Sequence, residues 1–227
     1  MRRLLLIVTA ATACAVVVAA PAYATTECRG LQVCIPVTGP WVLASPGRVE
    51  FQLACPRRFV VGGLDAELST RAIDIGFVGN LGSPVNPGIT TSKEAVFLGR
   101  LVGGSDPAAS FRPHIGCVPA SGGGQRSPTV YHVFKPGKPS IRHVTNIVVE
   151  PGRTRHYSKS CARTESLVAA THAIGFFGDI APSVSLARSV QVAQSVRADR
   201  VKLTIRATRA IAGGNAVDQL DLVCAAK

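Results

Sequence analysis

Apolar and polar residues alternate along most of this chain in short runs, with glycine-, proline- and serine-rich breaks between them. The clearest run lies near the C-terminus. Val201, Leu203, Ile205 and Ala207 alternate there with Lys202, Thr204 and Arg206, the period-two pattern of a half-buried strand. "RVEFQLA" (48–54), "FVVGG" (59–63), "AIDIGFV" (72–78), "AVFLGRLV" (95–102) and "FRPHIGCV" (111–118) read the same way. Few aromatics and many Val, Ile and Thr residues favour strands over helices. The expected fold class is all-β.

One apolar run breaks the alternation. It extends from Leu4 to about Ala20, follows Arg2 and Arg3, and ends at Ala22-Tyr23-Ala24, the order of a cleaved signal peptide over residues 1–24. Lipid attachment at Cys14 is the weaker reading: Ala11-Thr12-Ala13 lacks the usual leucine and would leave a short apolar core. No later segment reaches the ~18 apolar residues of a membrane span, so the expectation is a secreted or cell-envelope protein with no transmembrane segment after cleavage.

That location makes cysteine pairing the default. Cleavage leaves Cys28, Cys34, Cys55, Cys117, Cys161 and Cys224, and six cysteines allow fifteen connectivities. An internal repeat chooses among them. Cys55 and Cys117 stand 62 positions apart and Cys161 and Cys224 stand 63 apart, each pair enclosing nearly the same hexapeptide, "IGFVGN" (75–80) and "IGFFGD" (174–179). "PGRVEFQLAC" (46–55) faces "PGRTRHYSKSC" (151–161), "VTGPWV" (37–42) faces "VTNIVV" (144–149), and "FVVGG" faces "SLVAA" (166–170). The repeat predicts Cys55–Cys117 and Cys161–Cys224 by equivalence and leaves Cys28–Cys34 to close a small loop. It also predicts two tandem antiparallel β-sandwich or barrel-like domains from an internal duplication.

The expected organisation is an N-terminal disulfide loop over 25–36, repeat one over 37–118, a Gly/Pro-rich basic linker over 119–143, and repeat two over 144–227. "LDAELSTR" (64–71) reads as a loop insertion peculiar to the first copy. In the hexapeptide, Ile75 and Phe77 share a face and should enter the core. Gly76 would permit a bulge or a close backbone approach, and Gly79-Asn80, like Gly178-Asp179, would tolerate positive φ at the strand's end.

Candidate chemistry is sparse. The chain has no HExxH, no zinc-spaced Cys/His cluster, no GxSxG elbow and no glycine-rich phosphate loop ahead of a helix. No catalytic residue, metal or cofactor is assigned. His114, beside Asp74 or Asp106, is the best candidate base, but its counterpart in the second copy is Asp221, so the copies would share no mechanism. Asp65 and Glu67 share a face yet supply too few oxygens for calcium. "GSPVNPGITTS" (82–92) reads as a stiff, hydroxyl-rich loop, with Ser83, Asn86, Thr90, Thr91 and Ser92 as candidate ligand contacts.

Charge separates the two halves. Residues 25–119 carry 8 Lys/Arg against 7 Asp/Glu, whereas residues 120–227 carry 15 against 6. The excess concentrates in Arg126, Lys135, Lys138, Arg142, Arg153, Arg155, Lys159 and Arg163, and again in Arg197, Arg200, Lys202, Arg206 and Arg209. The second cluster is the candidate polyanion-binding set. An anionic cell-wall polymer or membrane surface is the expected partner. Dedicated nucleic-acid binding is not expected, since stacking aromatics are few and no nucleic-acid motif accompanies the charge. The leading expectation is a non-enzymatic binding or structural protein. The alternatives are a hydrolase with a site assembled between the domains and a protein-binding adhesin or inhibitor.

Overall fold

A computed structural model describes residues 25–79, 93–120, 140–211 and 215–227. The expected class holds: the chain is all-β with one short helix, three disulfides and open, curled sheets. The first half contains β1 (Ile35–Thr38), β2 (Trp41–Leu43), β3 (Val49–Ala54), β4 (Phe59–Leu68), β5 (Ile73–Gly79), β6 (Glu94–Leu101) and β7 (Ser110–Pro119). The second contains β8 (Ser140–Val149), β9 (Thr154–Ser160), β10 (Glu165–Phe177), the helix α1 (Val184–Ala187), β11 (Val190–Arg197), β12 (Arg200–Ala207) and β13 (Asn215–Ala226). β8 thus begins inside the stretch expected to be linker.

A seven-stranded antiparallel sheet runs through both halves in the order β1-β7-β2-β10-β13-β8, with β4 on the other side of β7. β2 is the join: Val42 pairs with Phe111 of β7 and with Gly175 of β10. Each half adds a three-stranded sheet, β3-β6-β5 in the first and β9-β12-β11 in the second. These small sheets pack on opposite faces of the shared one. On one face Val42, Phe111 and Val217 join Phe51, Phe97 and Ile73 in a first core, while on the other Leu43, Phe176 and Ala216 join Val201, Leu203 and Ile205 in a second. The period-two reading of Val201–Ala207 is met, since Val201, Leu203 and Ile205 are buried while Lys202 and Arg206 are exposed.

All three disulfides form as expected: Cys28–Cys34, Cys55–Cys117 and Cys161–Cys224. The two long ones do equivalent work, each tying the residue just after the first strand of a small sheet to the last strand of that half. Beside each closing cysteine the ladder slips by one residue, between Val61 and Gly63 opposite Cys117 and between Leu167 and Ala169 opposite Cys224.

The hexapeptides do not correspond in space. Ile75-Gly76-Phe77 lies in β5 and pairs with β6 in a small sheet, whereas Ile174-Gly175-Phe176 ends β10 in the large one. By strand order the counterpart of β5 is β11. Consequently "LDAELSTR" is no loop insertion: Leu64–Leu68 form the second half of β4, paired with Ile115 to Phe111. The shared letters report shared local work. Phe77 meets Phe97 edge-on at 5.2 Å and Phe176 is buried, so both rings enter a core as expected. Gly76 makes no bulge and meets only the Leu98 side chain, because β5 and β6 pair in unbroken register. Gly175 is the one that permits a close approach, of Pro40. Gly178 does not adopt positive φ, since an open bend carries the chain away from β10.

Candidate anion-binding face

The β9-β12-β11 sheet has one face in the second core and one in solvent. Strand alternation decides what the outer face displays. β12 contributes Arg200, Lys202, Thr204 and Arg206. The register sets these beside Ser160, Ser158, His156 and Thr154 of β9 and beside Arg197, Ser195, Ala193 and Gln191 of β11. No acid stands on the three strands. Nδ1 of His156 and Oγ1 of Thr204 share a hydrogen bond of 3.2 Å across the middle of the face.

Arg197 and Arg200 face each other across the hairpin Ala198-Asp199, and Ala198 adopts the left-handed φ of 50° that this tight turn requires. Like charges directly opposite oppose pairing, so the hairpin is held from elsewhere. Oδ1 of Asp199 accepts from the Leu167 backbone N–H at 3.1 Å, and Oδ2 lies 3.4 Å from Nζ of Lys227. The Leu167 N–H, followed by Lys227, holds the Asp199 carboxyl below its ordinary range. The nearest acid is therefore already engaged. Two shallow depressions lie on this surface, one of about 430 Å³ lined by Ser160, Arg197, Ala198, Asp199, Arg200 and Lys202, the other of about 350 Å³ lined by His156, Tyr157, Ser158, Lys202, Leu203 and Thr204, so the engaged Asp199 carboxylate borders the first.

Arg197, Arg200, Lys202 and Arg206 thus come together as expected. Arg209 does not join them: it lies in a 3-10 turn beyond β12, against Gly152. Two other cations from the basic clusters turn inward. Nζ of Lys159 donates to Thr145 Oγ1, and burial lowers its pKa against the pull of Asp221. Arg142 bridges Glu50 at 2.6 Å and Asp221 where β3 packs on β13, and Gln219 beside it accepts from the Gln52 N–H at 2.6 Å and donates to the Gln52 carbonyl at 3.0 Å. The hydroxyls of β9 and β11 are what charge counting missed; the alternation of Thr154, His156, Ser158 and Ser160 is the signal that marks them. Ser83, Asn86, Thr90, Thr91 and Ser92 lie outside the described residues, as do Arg126, Lys135 and Lys138.

His114 has a different setting from the expected one. It is buried on the face of β7 away from the first core, beneath the Cys28–Cys34 loop, and its acidic neighbours are Glu67 and Glu27 rather than Asp74 or Asp106. Its Nε2 stands 3.2 Å from Glu67 without hydrogen-bond geometry, and its Nδ1 lies 3.2 Å from Thr38 Oγ1. Burial lowers its pKa against the opposing pull of Glu67 and Glu27. Asp65, on the same face of β4, accepts from the Thr26 N–H at 2.7 Å and holds the loop down. Gly63 and Gly116 leave the room this requires, because a Cβ at either would strike the Glu27 carbonyl.

Comparison with protein-family models, with curated proteins and with solved structures finds no match to this chain. No helix among the described residues is long and apolar enough to cross a membrane.

Proposed function

We propose that this chain is an exported, non-enzymatic binding protein of the cell envelope or extracellular space, and that the outer face of its β9-β12-β11 sheet holds an anionic polymer. One observation carries the reading: Arg200, Lys202 and Arg206 project from a single strand face that has no acid on it and hydroxyls on both sides. Alternate strand residues lie about 6.7 Å apart, so the face offers charge at a regular interval to an extended polyanion. Hydroxyls alongside supply donors to sulfate, phosphate or carboxylate oxygens. Three disulfides support export to an oxidising compartment. The matched strand orders, staples and ladder slips support an origin by duplication of one unit.

The test is retention of the mature, oxidised protein on purified anionic wall polymer and on a neutral polysaccharide across a salt series. Retention on the anionic polymer alone, falling steeply with salt, is expected. The triple substitution R200E/K202E/R206E should abolish it while leaving the thermal midpoint nearly unchanged. Undiminished retention of that variant would sink the reading.

A further inference from the structure

A second surface, at one end of the second half, points to a different partner. Val149, Thr154, Phe177, Val190, Ala207 and Asn215 are strand termini at this end. The segment leaving β10 presents Phe177 at 50 % exposure and Ile180 at 82 %, followed by Val184 at 41 %. The backbone around them is fixed. Ser183 caps α1 by accepting from the Leu186 N–H at 3.3 Å, Ser189 Oγ donates to the Leu186 carbonyl at 2.6 Å, and Pro182 and Ala187 are buried. Ile180 is therefore held outward by a braced turn, with Phe177 beside it at the end of β10.

The charge around this apolar tip is mainly positive. Arg188 and Arg209 are exposed and make no ion pair among the described residues. Arg153 and Arg155 lie 3.0 and 3.3 Å from Glu150 and neutralise it, which leaves Asp179 as the opposing acid. Apolar side chains at the apex with arginines behind them are the arrangement that seats at a lipid interface: the rings and branched chains enter the acyl boundary while the guanidinium groups meet headgroup phosphates. The second hexapeptide differs here from the first in a useful way. Both send one Phe inward, but "IGFFGD" adds Phe177 facing out.

We infer that the Phe177–Val184 tip seats in an anionic lipid bilayer, independently of the polymer-binding face. The experiment uses the full mature chain and vesicles of phosphatidylcholine with or without phosphatidylglycerol. Because Trp41 is buried, the F177W variant introduces a solvent-exposed reporter. Its emission should shift to the blue on phosphatidylglycerol vesicles. The F177S/I180S variant should lose about tenfold or more in vesicle partitioning, while keeping its thermal midpoint and its retention on soluble polyanion. The R188E/R209E variant should also lose vesicle binding. The inference falls if F177W emission stays put on vesicle-bound protein, if F177S/I180S partitions like the parent, or if the blue shift appears without lipid as protein concentration rises, which would make the tip a self-association surface. Failure of the polymer-binding reading shows instead in R200E/K202E/R206E, so the two are separable.

Discussion

The two small sheets share a strand order and differ in what they show on their outer faces. Counting from the residues opposite each other next to the disulfides, Glu94, Val96, Leu98 and Arg100 of β6 occupy the places of Arg200, Lys202, Thr204 and Arg206 of β12. Inward positions stay apolar in both, Ala95, Phe97 and Leu101 against Val201, Leu203 and Ala207, because each sheet must cover a core. The outward positions carry no such constraint and differ. In the first half Val96 is fully buried and β3 turns Glu50 and Gln52 toward Arg142 and Gln219 of the second half. In the second half the corresponding face is left to solvent. The two small sheets thus share an inner alternation and differ outside: β3 of the first meets the other half, while the outer face of the second is open to solvent.

A similar contrast separates His114 from Asp221, each three residues before the closing cysteine of its half. His114 is covered by the N-terminal disulfide loop. Asp221 is covered by β3 and held by Arg142. Burial raises the Asp221 carboxyl despite Arg142, whereas Arg142 and Arg48 together outweigh burial at Glu50 and lower it.

The sharpest way to break this comparison is at the seam. Arg142→Met leaves Glu50 and Asp221 buried without their shared cation, and should cost about 3–5 kcal/mol in chemical denaturation. A cost under about 1 kcal/mol would show that the seam is wet and the halves loosely joined. Exchanging the equivalent residues comes next. Val96→Lys forces an ammonium into a fully buried site and should cost about 2–3 kcal/mol, whereas Lys202→Val on the open face should change stability by less than about 0.5 kcal/mol while weakening polymer retention. Equal costs would mean that the two outer faces are equally solvated.

The smallest effect is in pH. The folded pKa of His114 is lowered, so below about pH 6.5 the unfolded chain takes up a proton that the native state refuses, and stability falls by up to about 1.4 kcal/mol per pH unit. The folded pKa of Asp221 is raised, so the native chain takes up its proton first and stability is gained as pH falls toward the unfolded value near 3.9. H114Q should flatten the loss below pH 6.5, and D221N should remove the opposing gain. Denaturation midpoints across pH for the two variants check both signs.

Much of this was legible in the chain. The β class and the inward residues of β12 follow from alternation, which is local, and the three cysteine pairs from the matched spacing of 62 and 63 residues. The basic cluster was legible as charge, and Arg197, Arg200, Lys202 and Arg206 of its five cations share a face. The hexapeptide was the misleading signal: Ile-Gly-Phe marks a strand that sends a ring inward near its end, and such a strand serves either sheet. The inward turn of Arg142 and Lys159 was also invisible, since a charge count carries no information about what packs on a strand's second face.

Spacing and alternation by themselves determined which cysteines pair, which residues of a strand face a core, and that positive charge gathers in the second half. Only the tertiary structure decided that both halves share one sheet, that their small sheets lie on opposite faces of it, and that β3 of one small sheet meets the other half at the seam while the outer face of the other stays open. The reason is the range of the forces involved. Alternation is set by the geometry of one strand, whereas burial of a second face depends on which distant strand arrives there.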